Sequence, residues 1–240
     1  MAPPQPRVAW VVLDVGETLI DETRIWSSWA DWLGVPRLTL LAVLGAHIER
    51  GAPYGSVLEH FRPGIDVGSE VAERRSSGAM PAPERWFEEG DLYPDVRPAL
   101  ANLLGSGRRL GIAANQPAEA AVALRQMALP VEFMLISDEM RRWKPADDFF
   151  AAVVEATGAP PERIAYVGDR VDNDVIPAHR AGMVAVHLRR GPWGHLQAEQ
   201  AAAAGARIRI DSLLELAAEL TALDGQDAAI ASASVAEERG

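Results

Sequence analysis

The sequence predicts an α/β protein: a parallel sheet covered by helices and interrupted by an all-helical insertion. Three observations carry this reading. Short, apolar, β-branched runs alternate with helical patterns along most of the chain. The alternation stops between residues 20 and 92, where helical stretches follow one another without a strand. Two of the apolar runs end at or just before an aspartate, Asp14 and Asp169, where ligands meet an open parallel sheet.

The first strand is read at residues 8–13, VAWVVL, which runs into Asp14-Val15-Gly16 and suits a strand buried on both faces. Comparable runs follow at 109–113, 131–136, 163–167 and 183–188. Helical patterns separate them. Residues 95–104 follow Pro94, with Asp95 as the expected N-cap, and 117–128 carry proline in the first turn. The patterns at 146–157 and 173–181 stop at Gly158 and Gly182, and 212–220 closes the series. Strand–helix units of this kind imply right-handed crossovers and helices on both faces of the sheet. Within the insertion, helices are expected at 25–33, 38–50, 56–61 and 69–75. The expected organisation is an α/β core formed by 1–19 and 93–221, a helical cap at 20–92 over the carboxyl edge of the sheet, and a disordered tail at 222–240.

Composition narrows the function. With 23 basic against 34 acidic residues the net charge is −11, which argues against a nucleic-acid or anionic-membrane binder. The absence of cysteine excludes disulfides and thiolate metal sites. No apolar segment approaches the length of a membrane span, and the first apolar run is too short for a signal segment, so a soluble cytoplasmic protein is expected. No pattern fixes an oligomeric state.

Four positions lie at carboxyl ends of the expected strands: Asp14 after the first, Asn115 after the second, Lys144 in the loop after the third, and Asp169 after the fourth, within GDRVDND. Lys144 is the only lysine among the 23 basic residues. Gathering two carboxylates is unfavourable unless a cation joins them. A magnesium ion shared by Asp14 and Asp169 would offset the repulsion, and Lys144 could stabilise a carboxylate nucleophile together with the anion it attacks.

The ordered set Asp14-Val15-Gly16-Glu17-Thr18, Ile112-Ala113-Ala114-Asn115, Lys144-Pro145 with Phe150, and Gly168-Asp169 with Asn173-Asp174 resembles the haloacid dehalogenase-like hydrolase superfamily over about two hundred residues. The resemblance implies a Rossmann-like core with a helical cap between the first and second motifs. It further implies a Mg2+-dependent phosphatase acting on a small phosphorylated metabolite. Asp14 would be the nucleophile and Lys144 its catalytic partner, with Thr18 and Asn115 binding substrate. Metal ligands would be Asp14, the Gly16 carbonyl, Asp169 and Asp174.

Two departures from the family pattern stand beside these matches. Phosphatases of the family carry a second aspartate two residues after the nucleophile, as acid and base; here that residue is Gly16. A serine or threonine is usual where this chain has Ala114, although backbone N–H groups at the start of the following helix could still receive an anion. Glu17 is one residue off register, and an extended backbone would point it away from Asp14. Two alternatives therefore stand: a weakened or silent member acting by binding, and a dehalogenase or phosphonatase-type hydrolase. Trp26, Trp29 and Trp32 recur every three residues on one helix and are read as packing, with room for one to face the site. The five histidines lack ligand spacing, Arg141-Arg142 reads as a solvated turn, and 191–194 as a rim loop.

Overall fold

Alternating side chains of the strands feed two separate apolar layers. In β1 (Trp10–Leu13), Val11 and Leu13 face one layer while Trp10 and Val12 face the other, and all four are buried. The computed structural model describes residues 6–53, 55–80, 85–202 and 204–225. After β1 come α1 (Thr23–Leu33), α2 (Arg37–Glu49), α3 (Ser56–Phe61) and α4 (Val67–Ser76). The chain then forms α5 (Val96–Gly105), β2 (Arg109–Ala114), α6 (Ala118–Gln126), β3 (Phe133–Ile136), α7 (Ser137–Met140) and α8 (Asp147–Thr157). It closes with β4 (Ile164–Gly168), α9 (Ile176–Arg180), β5 (Val184–Leu188), α10 (Gly191–Leu196), β6 (Ile208–Ile210) and a last helix, α11, at 216–225.

The strands form one six-stranded sheet in the order β3-β2-β1-β4-β5-β6, parallel throughout. From β1 the chain winds outward through β2 and β3, then returns to the other side of β1 to lay down β4. The point where strand order reverses therefore lies between β1 and β4, and their carboxyl ends open a crevice there. Leu13 pairs with both Ile112 and Val167, so Asp14 leaves the sheet beside the ends of β2 and β4. One face is covered by Leu100 and Leu103 of α5, Leu124 of α6, and Leu216, Leu220 and Leu223 of α11. Phe149, Phe150 and Val153 of α8 and Ala178 of α9 cover the other.

The inserted helices have a core of their own, built from Trp26, Ala30, Leu40, Leu44, Ile48, Val57 and Leu58, with Trp193 of α10 packed into it. The chain enters this segment past Ile20 and leaves it at Leu92, and those two residues form an antiparallel bridge. Arg24 at the start of α1 is ion-paired with Asp91, which fastens the two crossings together.

Several expectations need correction. β6 is absent from the sequence reading because three residues, Ile-Arg-Ile, are too short to show a period. The expected helix at 173–181 is a π-turn, Val171–Val175, leading into α9. The expected rim loop at 191–194 is the first part of α10. Asp95 precedes α5 but makes no cap; its carboxylate instead accepts from Ser212 and the Leu213 N–H and pairs with Arg190. The expected tail begins too early: α11 continues to 225, Leu223 is buried, and Asp224 binds Arg108 at 2.7 Å. Low hydrophobicity hid a docking role that depends on one leucine and one carboxylate. Residues 226–240 lie outside the described residues.

The Arg108 side chain is only 2% exposed, so its pairing with Asp224 should matter for stability. Asp224→Ala is expected to lower the unfolding free energy by roughly 3 kcal/mol, the lower end for breaking a buried pair, because Asp224 keeps some solvent contact. Urea denaturation of the two proteins measures it.

Candidate active site

The crevice between β1 and β4 contains four charged groups. Asp14 follows β1, Asp169 follows β4, Asp174 lies in the π-turn, and Lys144 lies in the loop before α8. Lys144 Nζ is 2.7 Å from Asp14 Oδ1 and 2.6 Å from Asp174 Oδ1. Carboxylate oxygens of Asp14, Asp169 and Asp174 all lie within 4.8 Å of one another. All four side chains are buried, and Asp169 Oδ2 has no hydrogen-bond partner.

Local structure explains how these groups meet. The approach of Asp174 to β4 requires Gly168: a Cβ there would lie 2.3 Å from the Asp174 carboxyl. Asp174 Oδ2 accepts the Arg170 N–H at 3.0 Å, so this residue both closes its own turn and faces the cluster. Buried His187 donates from Nε2 to the Asp169 carbonyl at 3.0 Å; burial pushes its imidazole pKa down, which favours the neutral donor form. Asn115 clamps the Lys144 main chain from both sides, accepting its N–H at 2.8 Å and donating to its carbonyl at 3.0 Å. One N–H and the carbonyl oxygen of the Asn115 amide are thereby engaged, and the side chain also lines the cavity above Asp14. Thr18 is corrected: it is fully buried, its hydroxyl has no partner, and it does not line that cavity.

Electrostatics follow from burial. The Asp14 carboxyl is pushed up to about 6, first by desolvation, against the pull of Lys144 and with added repulsion from Asp174. Asp169 is driven well above the carboxylate range by burial, then by repulsion from Asp174, Asp14 and Glu17. For Lys144, burial alone would weaken the ammonium. Asp14 and Asp174 more than offset this, leaving it firmly protonated. Three buried carboxylates against one ammonium leave an excess of negative charge that a hard cation with oxygen ligands would neutralise.

Above the cluster lies a cavity of about 570 Å³, lined by Asp14, Gly16, Asn115, Lys144 and Asp169 from the core. The inserted helices contribute Ile25, Trp29, Val67, Val71 and Arg75, and Trp86 and Phe87 join from the segment that returns to the core. The tryptophan helix thus divides its work. Trp26 is buried in the insertion core and Trp32 donates to Glu70 at 2.8 Å, whereas Trp29 faces the cavity with Arg74 stacked on it. Arg141 and Arg142 are exposed, as a solvated turn requires.

Sequence reasoning missed Glu22. It is buried, lines the same cavity, and accepts from Gln116 Nε2 at 3.1 Å. Burial, then repulsion from Glu17, pushes its carboxyl up to about 7. Glu17 is occupied differently. In a left-handed turn with φ +52°, its carboxylate accepts the Glu22 N–H at 2.9 Å and the Tyr93 hydroxyl at 2.6 Å. The buried Ala114 has no hydroxyl to offer, and neighbouring Ser137 spends its own on the Gln116 main chain.

A model of the haloacid dehalogenase-like hydrolases matches residues 8–182. The chain belongs to this family. A glyceraldehyde 3-phosphate phosphatase of Methanopyrus kandleri is 35% identical over 113 residues, covering 44% of this chain and 46% of that one. A phosphoserine phosphatase of Thermus thermophilus is 30% identical over 138 residues, covering 55% and 53%. The chain thus spans about half the length of the curated relatives it matches. The solved structure of a conserved haloacid dehalogenase-like protein from Agrobacterium tumefaciens shares the fold with a TM-score of 0.65 at 20% identity, covering 90% of this chain and 98% of that one. Among the described residues no helix is long and apolar enough to cross a membrane.

The raised carboxyls set a pH dependence. A carboxyl whose pKa is higher folded than unfolded stabilises the fold at low pH, and that contribution fades as pH rises through the folded value. For Glu22 the window runs from its ordinary 4.5 to about 7. Metal-free protein should therefore lose thermal stability as the pH rises from 4.5 to about 7. In Glu22→Gln the fall should be shallower, as a series of melting curves in chelator measures.

Proposed function

We propose that this haloacid dehalogenase-like hydrolase is a Mg2+-dependent phosphatase of a small phosphorylated metabolite, with Asp14 as nucleophile. The observation that carries the reading is the buried Asp14–Lys144–Asp174 network, with the unpartnered oxygen of Asp169 beside it, at the floor of an open cavity. The phosphatase relatives support it.

Asp14 would attack phosphorus through a carboxylate oxygen and carry the phosphoryl group as an acyl phosphate until water releases it. Lys144 orients Asp14 by a 2.7 Å contact and places positive charge where phosphoryl oxygens gather. Asn115 acts indirectly, by fixing the main chain of Lys144. The carboxylates of Asp14, Asp169 and Asp174 would hold the metal ion. Their all-oxygen set, excess charge and orphaned Asp169 oxygen suit magnesium. When bound, the ion supplies Lewis-acid stabilisation of the phosphoryl oxygens. The inserted helices act as a cap at the reaction centre. Trp29, Trp86 and Phe87 line it, which favours a leaving group with an apolar or aromatic body.

The same observations weigh against the other chemistries. A halide needs no proton and no metal, which leaves three buried carboxylates without a purpose. An imine-forming route needs an available lysine, and the one lysine of the chain is held between Asp14 and Asp174. A silent binding protein would gain nothing from burying this charge.

Asp14→Asn should lower turnover of a broad phosphate panel by about 10⁴-fold or more while the fold is kept. Chelation of divalent cations should abolish wild-type activity, and Mg2+ should restore it. A colorimetric phosphate-release assay measures both, and undiminished turnover in Asp14→Asn or in chelator sinks the reading.

A further inference from the structure

The family resemblance leaves a gap at Gly16, where an acid is expected, and the fold fills that gap from elsewhere. A Cβ built on Gly16 would lie 2.5 Å from Glu22 Oε1, 2.8 Å from its Cδ and 3.2 Å from its Oε2. The space into which a side chain at 16 would grow is therefore occupied by the Glu22 carboxyl. This carboxyl lines the same cavity as Asp14. We propose that Glu22 is the proton donor and acceptor of this enzyme, doing from the start of the insertion what an aspartate at position 16 would do from the strand end.

Several contacts hold the group in place, a hydrogen bond between the Trp26 side chain and its carboxyl among them. The side-chain amide of Gln116 donates to Glu22 Oε1 at 3.1 Å. The backbone N–H of Glu22 donates to Glu17 Oε1 at 2.9 Å, and Glu17 is itself fixed by the Tyr93 hydroxyl at 2.6 Å. Glu17 is thus a positioning residue. The small residue at 16 is a condition of the arrangement, since any side chain there would meet the Glu22 carboxyl.

The role rests on the Asp14 hydrolase reading and balances through two steps. In the first, an Asp14 oxygen bonds to phosphorus and the bond from phosphorus to the ester oxygen breaks. The carboxylic acid of Glu22 gives its proton to that oxygen, and a neutral alcohol leaves. In the second, water attacks the same phosphorus and the Glu22 carboxylate takes its proton. The bond to Asp14 breaks, inorganic phosphate leaves, and both carboxyls return to their starting states.

Leaving-group dependence tests this. 2-Phenylethyl phosphate needs a proton on departure, whereas 4-nitrophenyl phosphate does not. With Mg2+ present, Glu22→Gln should lose about 10²–10⁴-fold on the phenylethyl ester, the usual worth of general acid–base help. On the nitrophenyl ester it should give a burst of one nitrophenolate per enzyme followed by slow turnover, because only the second step then lacks its base. Asp14→Asn should give no burst. Gly16→Asp alone should be impaired by collision with Glu22, while Gly16→Asp combined with Glu22→Ala should recover phenylethyl phosphate hydrolysis relative to Glu22→Ala. Equal loss of the first step on both esters in Glu22→Gln, seen as absence of the nitrophenolate burst, or wild-type rates on the phenylethyl ester, overturns the role of Glu22 while leaving Asp14 as nucleophile. If Glu22→Gln does not fold, failure of the double variant to recover activity overturns it. A wild-type enzyme inert towards both esters, or an Asp14→Asn variant as active as wild type, overturns the hydrolase reading and this role with it.

Discussion

The arrangement of this molecule depends on one ammonium group held between two carboxylates. Lys144 Nζ meets Asp14 at 2.7 Å and Asp174 at 2.6 Å with almost no solvent beside it. At such separations in a protein interior, attraction of several kcal/mol opposes the large penalty for dehydrating each ion. The balance holds only if every participant is placed by something rigid. Asp14 is placed by the central strand, Asp174 by a π-turn and the Arg170 N–H just before it, and Lys144 by the two-sided grip of Asn115. A lysine suits this seat because its charge is compact, whereas the planar fork of arginine could not sit between two facing oxygens in the same way.

Missing side chains are as informative as present ones. Gly168 leaves room for the Asp174 carboxyl, Gly16 for that of Glu22, and Gly191, at φ +62°, for Glu17. Each glycine borders a buried acid: Asp174 and Glu22 fold back on Gly168 and Gly16 from just downstream, while Glu17 meets Gly191 from far along the chain. A glycine at a functional position can thus mark a group deleted from one place and supplied from another. The excess negative charge gathered here is what makes a divalent cation fit, and it also raises the proton affinity of the same carboxyls.

Much of this was legible in the sequence, for physical reasons. Buried parallel strands are continuous apolar runs, so five of the six strands stood out; Ile208–Ile210 did not, because three residues carry no period. Asp14 and Asp169 follow expected strands and Lys144 stands out as the one lysine, whereas Asp174 is indicated by the motif spacing of the resemblance. What escaped were groups whose partners are set by packing. Glu22 follows an irregular turn, and nothing local reveals that it folds back over Gly16. Asn115 carried the right residue type, but its two bonds to Lys144 depend on where a loop 29 residues later returns. His187 lacks ligand spacing to any other histidine, and its bond to the Asp169 carbonyl joins neighbouring strands rather than neighbouring residues. The expected tail failed for a similar reason, since Leu223 and Asp224 gain their meaning only from the face they dock against.

The solitary lysine has a practical consequence. All other basic side chains are guanidinium groups, so the folded protein offers amine-directed reagents no accessible side-chain amine: Lys144 is 5% exposed and ion-paired. Acylation of that position reports the opening of the crevice or the unfolding of the chain. The residue that orders the charges of the site is therefore also a chemical sensor of whether the site is closed.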